Sequence, residues 1–221
     1  MLKQITDEIN YIKQKDPACK HCLSIWLYYP GFQAVLAHRL FHYLWKIDLG
    51  ALNHLSHTLI RLFQYWVKII TNIEIHPAAQ IGKNCFIDHG SGVVIGETAV
   101  IGNDVVIYQG VTLGGVSTKD EKRHPTLGNN IVVGAGAKIL GNITIGDYVQ
   151  VGANSVVLKD VPSYSTVVGI PGRIAKLNGD LENIIENLDH HMAPDFIGAT
   201  IEVLTNKIED LEKQIKALQD K

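Results

Sequence analysis

Cysteine is scarce in this chain, three in 221 residues, and no disulfide framework can be drawn from them. That scarcity fits a reducing compartment, so a cytoplasmic location is expected. Net charge is nearly absent as well, at −2, which leaves no basic balance to suit nucleic acid or an anionic membrane. Long hydrophobic runs are missing too. The most apolar stretch, Leu23 to Trp45, contains Pro30, Gly31, His38, Arg39 and His42, and makes a poor membrane span. The opening Met1-Leu2-Lys3-Gln4 lacks the layout of a secretory signal. What the chain does have is apolar content, 46% of its residues, enough for a core in one or two domains.

That apolar content is ordered. Ile75, Ile81, Ile87 and Val93 stand six apart. After a two-residue slip Ile95, Ile101, Ile107 and Leu113 continue the beat. The polar loop Gly114–Thr126 interrupts it, and Leu127, Val133, Ile139, Ile145, Val151 and Val157 resume it. Gly often follows the aliphatic residue, as at Gly82, Gly102 and Gly128, and a small or β-branched residue often sits four places after it. A six-residue period marks a parallel β-helix, in which three short strands make a triangular coil of about eighteen residues. The aliphatic residues point inward, the glycines are expected to permit the tight corners, and stacked coils share one apolar column. About five coils fit between Ile75 and Lys176, so residues 73–177 are assigned to this solenoid with loop 114–126 inserted.

The flanks lack the beat. Residues 1–72 read as a helical domain: Leu2 to Lys15, a start at Asp16-Pro17-Ala18 with Asp as cap, a break at Tyr29-Pro30-Gly31, then Phe32–Trp45 and Ala51–Thr71. Helices there would cap one open end of the solenoid. Residues 178–221 form a tail with a short helix over Asp180–Leu188 and a heptad seam at Ile201, Leu204, Ile208, Leu211, Ile215 and Leu218. That seam serves either as an amphipathic helix on its own subunit or as a short coiled coil between subunits. The fold class is therefore an α+β solenoid with an N-terminal α-helical cap and a C-terminal α-helix.

Chemistry is expected where the beat bends or breaks. Asp88-His89 follow Ile87 at a corner, and Glu74 lies fifteen residues before His89, a little less than one coil. Stacking can therefore set a carboxylate beside an imidazole, the equipment of a general base acting on an alcohol. Two unrelated surface groups would share the same spacing. The loop carries Arg123-His124-Pro125, and a long polar insertion in a compact fold is usually functional or disordered. Arg123 offers a planar fork suited to a carboxylate. No enzyme nucleophile is evident, which favours direct attack in a ternary complex.

Several runs resemble serine O-acetyltransferases. They are Ile73-Glu74-Ile75-His76-Pro77, Asp88-His89-Gly90-Ser91-Gly92 through Thr98, Gln109–Gly115, Lys122-Arg123-His124-Pro125, Gly134–Gly141 and Val168-Gly169-Ile170-Pro171. Upstream, Asp16-Pro17-Ala18, Tyr29–Phe32 and Ala37-His38-Arg39 match as well, so the likeness covers roughly residues 16–176. The resemblance implies a left-handed coil and transfer of acetyl from acetyl-CoA to the hydroxyl of L-serine, the first step toward cysteine. It implies His89 as general base oriented by Glu74, with Asp16 and Asp88 on the serine ammonium and Arg123 and His124 on its carboxylate. Backbone around Ala135 and Ala153 would line the pantetheine groove, and Lys138, Lys159 and Arg173 are candidates for the CoA phosphates. Acetyl-CoA would be a co-substrate, with no tightly bound cofactor and no metal, and L-cysteine a feedback inhibitor. A homotrimer is implied, with His89 and His124 of one site coming from different subunits.

The chain departs from the family pattern in two places. Its helical region is shorter than in members whose extra N-terminal helices join two trimers, so any larger assembly would need the N-terminal helices or the heptad helix. It ends Gln219-Asp220-Lys221, whereas members that dock into O-acetylserine sulfhydrylase end in isoleucine, which argues against that partner. Other signals carry less. Cys19-Lys20-His21-Cys22 is a single CxxC without a second pair, Cys85 sits at an inward position, and His76, His89 and His124 lack the close pair of a zinc-binding γ-carbonic anhydrase. A non-catalytic scaffold, or an acetyltransferase acting on a sugar or homoserine, are the competing readings. Asp16 with Asp88 favours an amino acid, because paired carboxylates suit an ammonium. If the heptad seam joins subunits, deleting residues 199–221 should lower the mass in solution, measured by light scattering; unchanged mass would exclude it as an assembly contact.

Overall fold

The computed structural model describes residues 2–177. The heptad seam and the Asp180–Leu188 segment lie outside these residues. Four α-helices come first: α1 (Leu2–Lys15), α2 (Cys22–Tyr28), α3 (Pro30–Trp45) and, after a 3-10 turn at Gly50–Leu52, α4 (Asn53–Thr71). The expected break at Tyr29-Pro30-Gly31 is a junction of two helices, with Pro30 at the first position of α3, where its missing N–H costs nothing. Asp16 does not cap a helix. Its Oδ1 accepts the N–H of Ala18 in an Asx turn, and α2 starts six residues later behind His21.

Fifteen short strands follow. The first coil is β1 (Glu74–Ile75), β2 (Gln80–Ile81) and β3 (Cys85–Ile87); the second is β4 (Val94–Ile95), β5 (Val100–Ile101) and β6 (Val105–Ile107). The third is β7 (Thr112–Gly114), β8 (Thr126–Leu127) and β9 (Val132–Val133); the fourth is β10 (Lys138–Leu140), β11 (Thr144–Ile145) and β12 (Gln150–Val151). The last coil has β13 (Val156–Val157) and β14 (Ser165–Val168), with the bridge Ile145↔Val161 on its middle side. Each face of the prism is a parallel sheet: β1-β4-β7-β10-β13, β2-β5-β8-β11, and β3-β6-β9-β12-β14. This is a left-handed parallel β-helix of about five turns. A final strand, β15 (Arg173–Leu177), turns back antiparallel on β14, which the six-residue beat does not announce.

Register shows how the beat works. Leu113 pairs with Ile139, and Ile139 with Val157, so inward residues stack directly on one another. All fourteen beat residues are buried except Ile81, which is partly covered at the open end. The first coil is 20 residues long, Glu74 to Val94, which is the two-residue slip. The loop-bearing coil is 26 residues, Thr112 to Lys138, against 18 for the next, so the insertion amounts to eight residues. The glycines after the aliphatic residues do not supply the turns. At Gly102 a Cβ would lie 2.3 Å from the carbonyl oxygen of Gly128, so glycine is required there by the approach of the next coil. The left-handed corner conformation falls instead on a column of Asn84, Asp104, Asn130, Tyr148 and Tyr164, with φ between 55° and 60°.

Helix α3 closes the open end with polar atoms. His38 Nε2 meets the Ala79 carbonyl at 3.1 Å, His42 Nδ1 the Pro77 carbonyl at 2.8 Å, and Arg39 Nη2 donates to the Gly82 carbonyl at 2.7 Å. These satisfy first-coil carbonyls that have no coil beneath them. Arg39 is itself held by the buried Glu8 of α1 through a 2.8 Å bond from Nε. Contact is close at Gly31, where a Cβ would stand 1.9 Å from the Ile87 carbonyl oxygen. The apolar stripe of α4 does not face the core. Leu55, Leu59, Leu62, Trp66, Ile69 and Ile70 are exposed, and Ile60, Gln64 and Thr71 are the buried positions.

Burial pushes the pKa of His38 down to about 3, with His42 and Arg39 adding to the shift. The unfolded chain binds this proton below about 6.5 and the folded chain does not, so stability should fall as pH drops from about 6.5 toward 3. Glu8, whose pKa burial raises, opposes this lower down. The urea midpoint should therefore fall between about pH 7 and about pH 5.5, and His38→Gln should flatten that dependence.

Candidate active site

The corner between β3 and β4 is Asp88-His89-Gly90-Ser91-Gly92. It sits over the end of α4: Gly92 N–H donates to the Asn72 carbonyl at 2.9 Å, and Asn72 Nδ2 donates to Ser91 Oγ at 2.7 Å. Asn72 is two residues ahead of Glu74, so His89 and Glu74 lie on adjacent coils around one corner. His89 has φ +58°, a left-handed conformation that costs a non-glycine residue of order 1–3 kcal/mol and concentrates at functional sites. The turn throws its side chain outward, 75% exposed, with Nε2 3.9 Å from Asp88 Oδ1. Glu74 Oε2 is engaged at 2.5 Å by Lys68 Nζ of α4, a half-exposed pair.

The charges of two carboxylates expected on an ammonium, Asp88 and Asp16, both act on Tyr108. The register Ile87↔Ile107 sets Asp88 beneath Tyr108. Burial pushes the Tyr108 phenol up to about 12, with the charges of Asp88 and Asp16 adding to the shift. Asp16 reaches the same place because Tyr29 donates its hydroxyl to Asp16 Oδ2 at 2.5 Å, and Tyr29 and Tyr108 pack in one apolar cluster with Ile12, Phe32 and Phe86. Tyr108 was not singled out by sequence, although it lies 20 residues after Asp88, one first-coil length.

The loop occupies a different corner, that between β7 and β8, and returns over the corner between β4 and β5. His124 is 8% exposed, and its ring lies on Gly96, where a Cβ would fall 2.0 Å from Cδ2. Thr98 holds it: the Thr98 N–H and Oγ1 lie 3.2 and 2.9 Å from His124 Nδ1. Arg123 Nη2 donates to Glu97 Oε2 at 2.5 Å. Lys122 anchors the loop by donating to the carbonyls of Thr98 at 2.5 Å and His124 at 2.7 Å. The sequence reading missed Glu97, Thr98 and Lys122. Their signal was the motif Gly96-Glu97-Thr98 at the coil corner beneath the insertion. His89 and His124 thus stand at two different corners of one prism and do not meet within a chain.

The remaining candidates occupy the far coils. Asn154 N–H donates to the Ala135 carbonyl at 2.8 Å, so Ala135 and Ala153 stand on successive coils at one corner. Lys138 Nζ donates to the carbonyls of Gly110 and Gly136, which makes it a brace for that corner. Lys159 and Arg173 are exposed. Cys85 is buried, and burial pushes its thiol up to about 12, an inert state.

The "Bacterial transferase hexapeptide (six repeats)" family matches residues 124–159. Fold and repeat together define a hexapeptide-repeat transferase. A serine acetyltransferase of Synechococcus elongatus is 48% identical over 218 residues, 99% of this chain and 85% of its own length. That of Staphylococcus xylosus is 48% identical over 97% of this chain and 92% of its own. The chain belongs to the serine acetyltransferase family and is an acyltransferase. The crystal structure of the Neisseria gonorrhoeae serine acetyltransferase in complex with serine aligns with a TM-score of 0.71 and 40% identity, over 78% of this chain and 68% of that one. Serine acetyltransferases in complex with CoA and with cysteine, each 43% identical over 78% of this chain and 69% of theirs, align at 0.70 and 0.73.

Lys122→Met should free the loop without unfolding the coils. Trypsin cleavage at Lys119 or Arg123 should rise roughly tenfold, the scale of losing charged hydrogen bonds, while the thermal midpoint changes little. Unchanged cleavage would show that Lys122 does not anchor the loop.

Proposed function

We propose that this chain transfers the acetyl group of acetyl-CoA to the hydroxyl of L-serine, giving O-acetyl-L-serine and CoA. The observation that carries this reading is the exposed His89 imidazole at a coil corner, with Asp88 Oδ1 3.9 Å from its Nε2. A carboxylate beside an exposed imidazole suits a substrate that pairs an ammonium with a hydroxyl. Relatives solved with serine and with CoA support the same pair of substrates.

His89 takes the proton of the serine hydroxyl as its oxygen attacks the thioester carbon. The tetrahedral intermediate then expels CoA, whose sulfur takes that proton back from His89. No covalent enzyme intermediate enters. Glu74 orients the imidazole and stabilises the imidazolium. For that it exchanges Lys68 for His89, a modest change, since an exposed ion pair contributes about 0.2–1 kcal/mol. Arg123 and His124 receive the serine carboxylate. Because His89 and His124 occupy different corners, the site takes His89 from one copy and His124 from a second, and a homotrimer closes three such sites. The exposed apolar stripe of α4 supports a covered surface in that assembly. The corner column at Ala135 and Ala153 receives the pantetheine arm, and Lys159 and Arg173 the CoA phosphates, while Lys138 braces the column. L-cysteine competes at the serine site, as the cysteine complex of a relative suggests.

CoA release from acetyl-CoA should require L-serine and should not occur with homoserine, a sugar or no acceptor. His89→Ala should lower kcat by roughly 10²–10⁴, the usual worth of a general base. Turnover only with another acceptor would overturn the substrate, and full activity in the variant would overturn the base.

A further inference from the structure

The hydrogen-bond geometry around His124 fixes which of its nitrogens carries the proton. The Thr98 N–H lies 3.2 Å from Nδ1, and an amide N–H can only donate. Nδ1 is therefore an acceptor. Thr98 Oγ1 stands 2.9 Å from the same nitrogen and accepts the N–H groups of Arg123 at 3.0 Å and His124 at 3.1 Å. With both acceptor positions taken, the hydroxyl has its own proton to give, and Nδ1 is the acceptor in reach. Two donors on one ring nitrogen leave the proton of the neutral imidazole on Nε2.

We propose that Thr98 is a positioning residue that locks His124 in the Nε2–H tautomer, making it a fixed, neutral hydrogen-bond donor to a substrate oxygen and not a base. What Nε2–H addresses rests on the function proposed above; the tautomer does not. The corner is built to keep this arrangement. The ring lies on Gly96, with no room for a Cβ, and Lys122 ties the Thr98 and His124 carbonyls together. A cationic ring would need a proton on Nδ1, against both Thr98 donors. The charged neighbours act in the same direction. Burial lowers the His124 pKa, Arg123 and Lys122 lower it further, Glu97 alone raises it, and His76 from the coil below is itself held toward neutrality by burial. The two histidines thus divide the work: exposed His89 exchanges a proton, and buried His124 donates a hydrogen bond without releasing one.

The test uses the full-length protein labelled with ¹⁵N-histidine. In the wild type, His124 should show an unprotonated Nδ1 and a protonated Nε2, and should stay neutral through the ordinary histidine range. Thr98→Val removes the hydroxyl donor and keeps the amide donor, so it should raise the His124 pKa without shifting the tautomer. It should also raise the KM for serine about five- to tenfold, the scale of one lost hydrogen bond, with a smaller change in kcat. Thr98→Ser should restore both. A proton on Nδ1 in the wild type, or a Thr98→Val protein with wild-type pKa and KM, would overturn the proposal. Absence of serine turnover in the wild type would remove the function proposed above, while the nitrogen spectrum would still decide the tautomer.

Discussion

Every feature of this molecule answers to one constraint: each coil must hydrogen-bond to the next in fixed register along all three faces. Strands β1 to β13 are two or three residues long, so their pairing tolerates no insertion within them. Extra chain can leave only at a corner. The third coil obeys this. Its eight surplus residues depart after β7 and return before β8, and Val100 still pairs with Thr126 as if nothing had intervened. Corners are thus the sites where side chains escape the column, and both histidine positions discussed above are corners. A β-helix makes a rigid frame of its faces and spends its sequence freedom at its edges.

The electrostatic environment differs sharply between those two corners. His89 projects from a strained left-handed turn into solvent, with carboxylates nearby. His124 is buried against Gly96, with Nδ1 facing the N–H and hydroxyl of Thr98. The same side chain is given two chemical characters by what the adjoining coil presents. A polypeptide that has settled on a repetitive scaffold can make such distinctions cheaply, because neighbours one coil away are fixed in advance.

Much of this was legible in the sequence. The beat from Ile75 to Val157 gave the column and its interruption, because inward residues on stacked coils must recur at one period. The slip at Val93–Ile95 and the loop appeared as breaks in phase and proved to be the 20- and 26-residue coils. Asp88-His89 stood out as polar residues at a corner. What escaped was decided by approach between elements. Glu74 meets Lys68 because α4 ends against β1, and α3 touches Ile87 because Gly31 leaves room for it. Neither contact leaves a periodic trace. The turn-forming column was misassigned for a related reason: glycines that looked like turn residues are small because the next coil's backbone lies against them, and Asn, Asp and Tyr residues adopt the left-handed corner. Thr98 and Lys122 were hidden because their work is done through backbone groups of the loop they hold.

The capping of the first coil by His38, Arg39 and His42 has a consequence for the whole molecule's behaviour toward copies of itself. A stack of parallel strands ends in rows of unpaired carbonyl and amide groups that would template another strand, and identical coils could add end to end into a filament. Here the carbonyls of Pro77, Ala79 and Gly82 are already taken by side chains of α3. At the opposite end, β15 runs against the direction of every other strand on its face, so a further parallel coil finds no matching register. Among the described residues the solenoid thus carries a terminator at each end, and both oppose addition of a further coil along its axis.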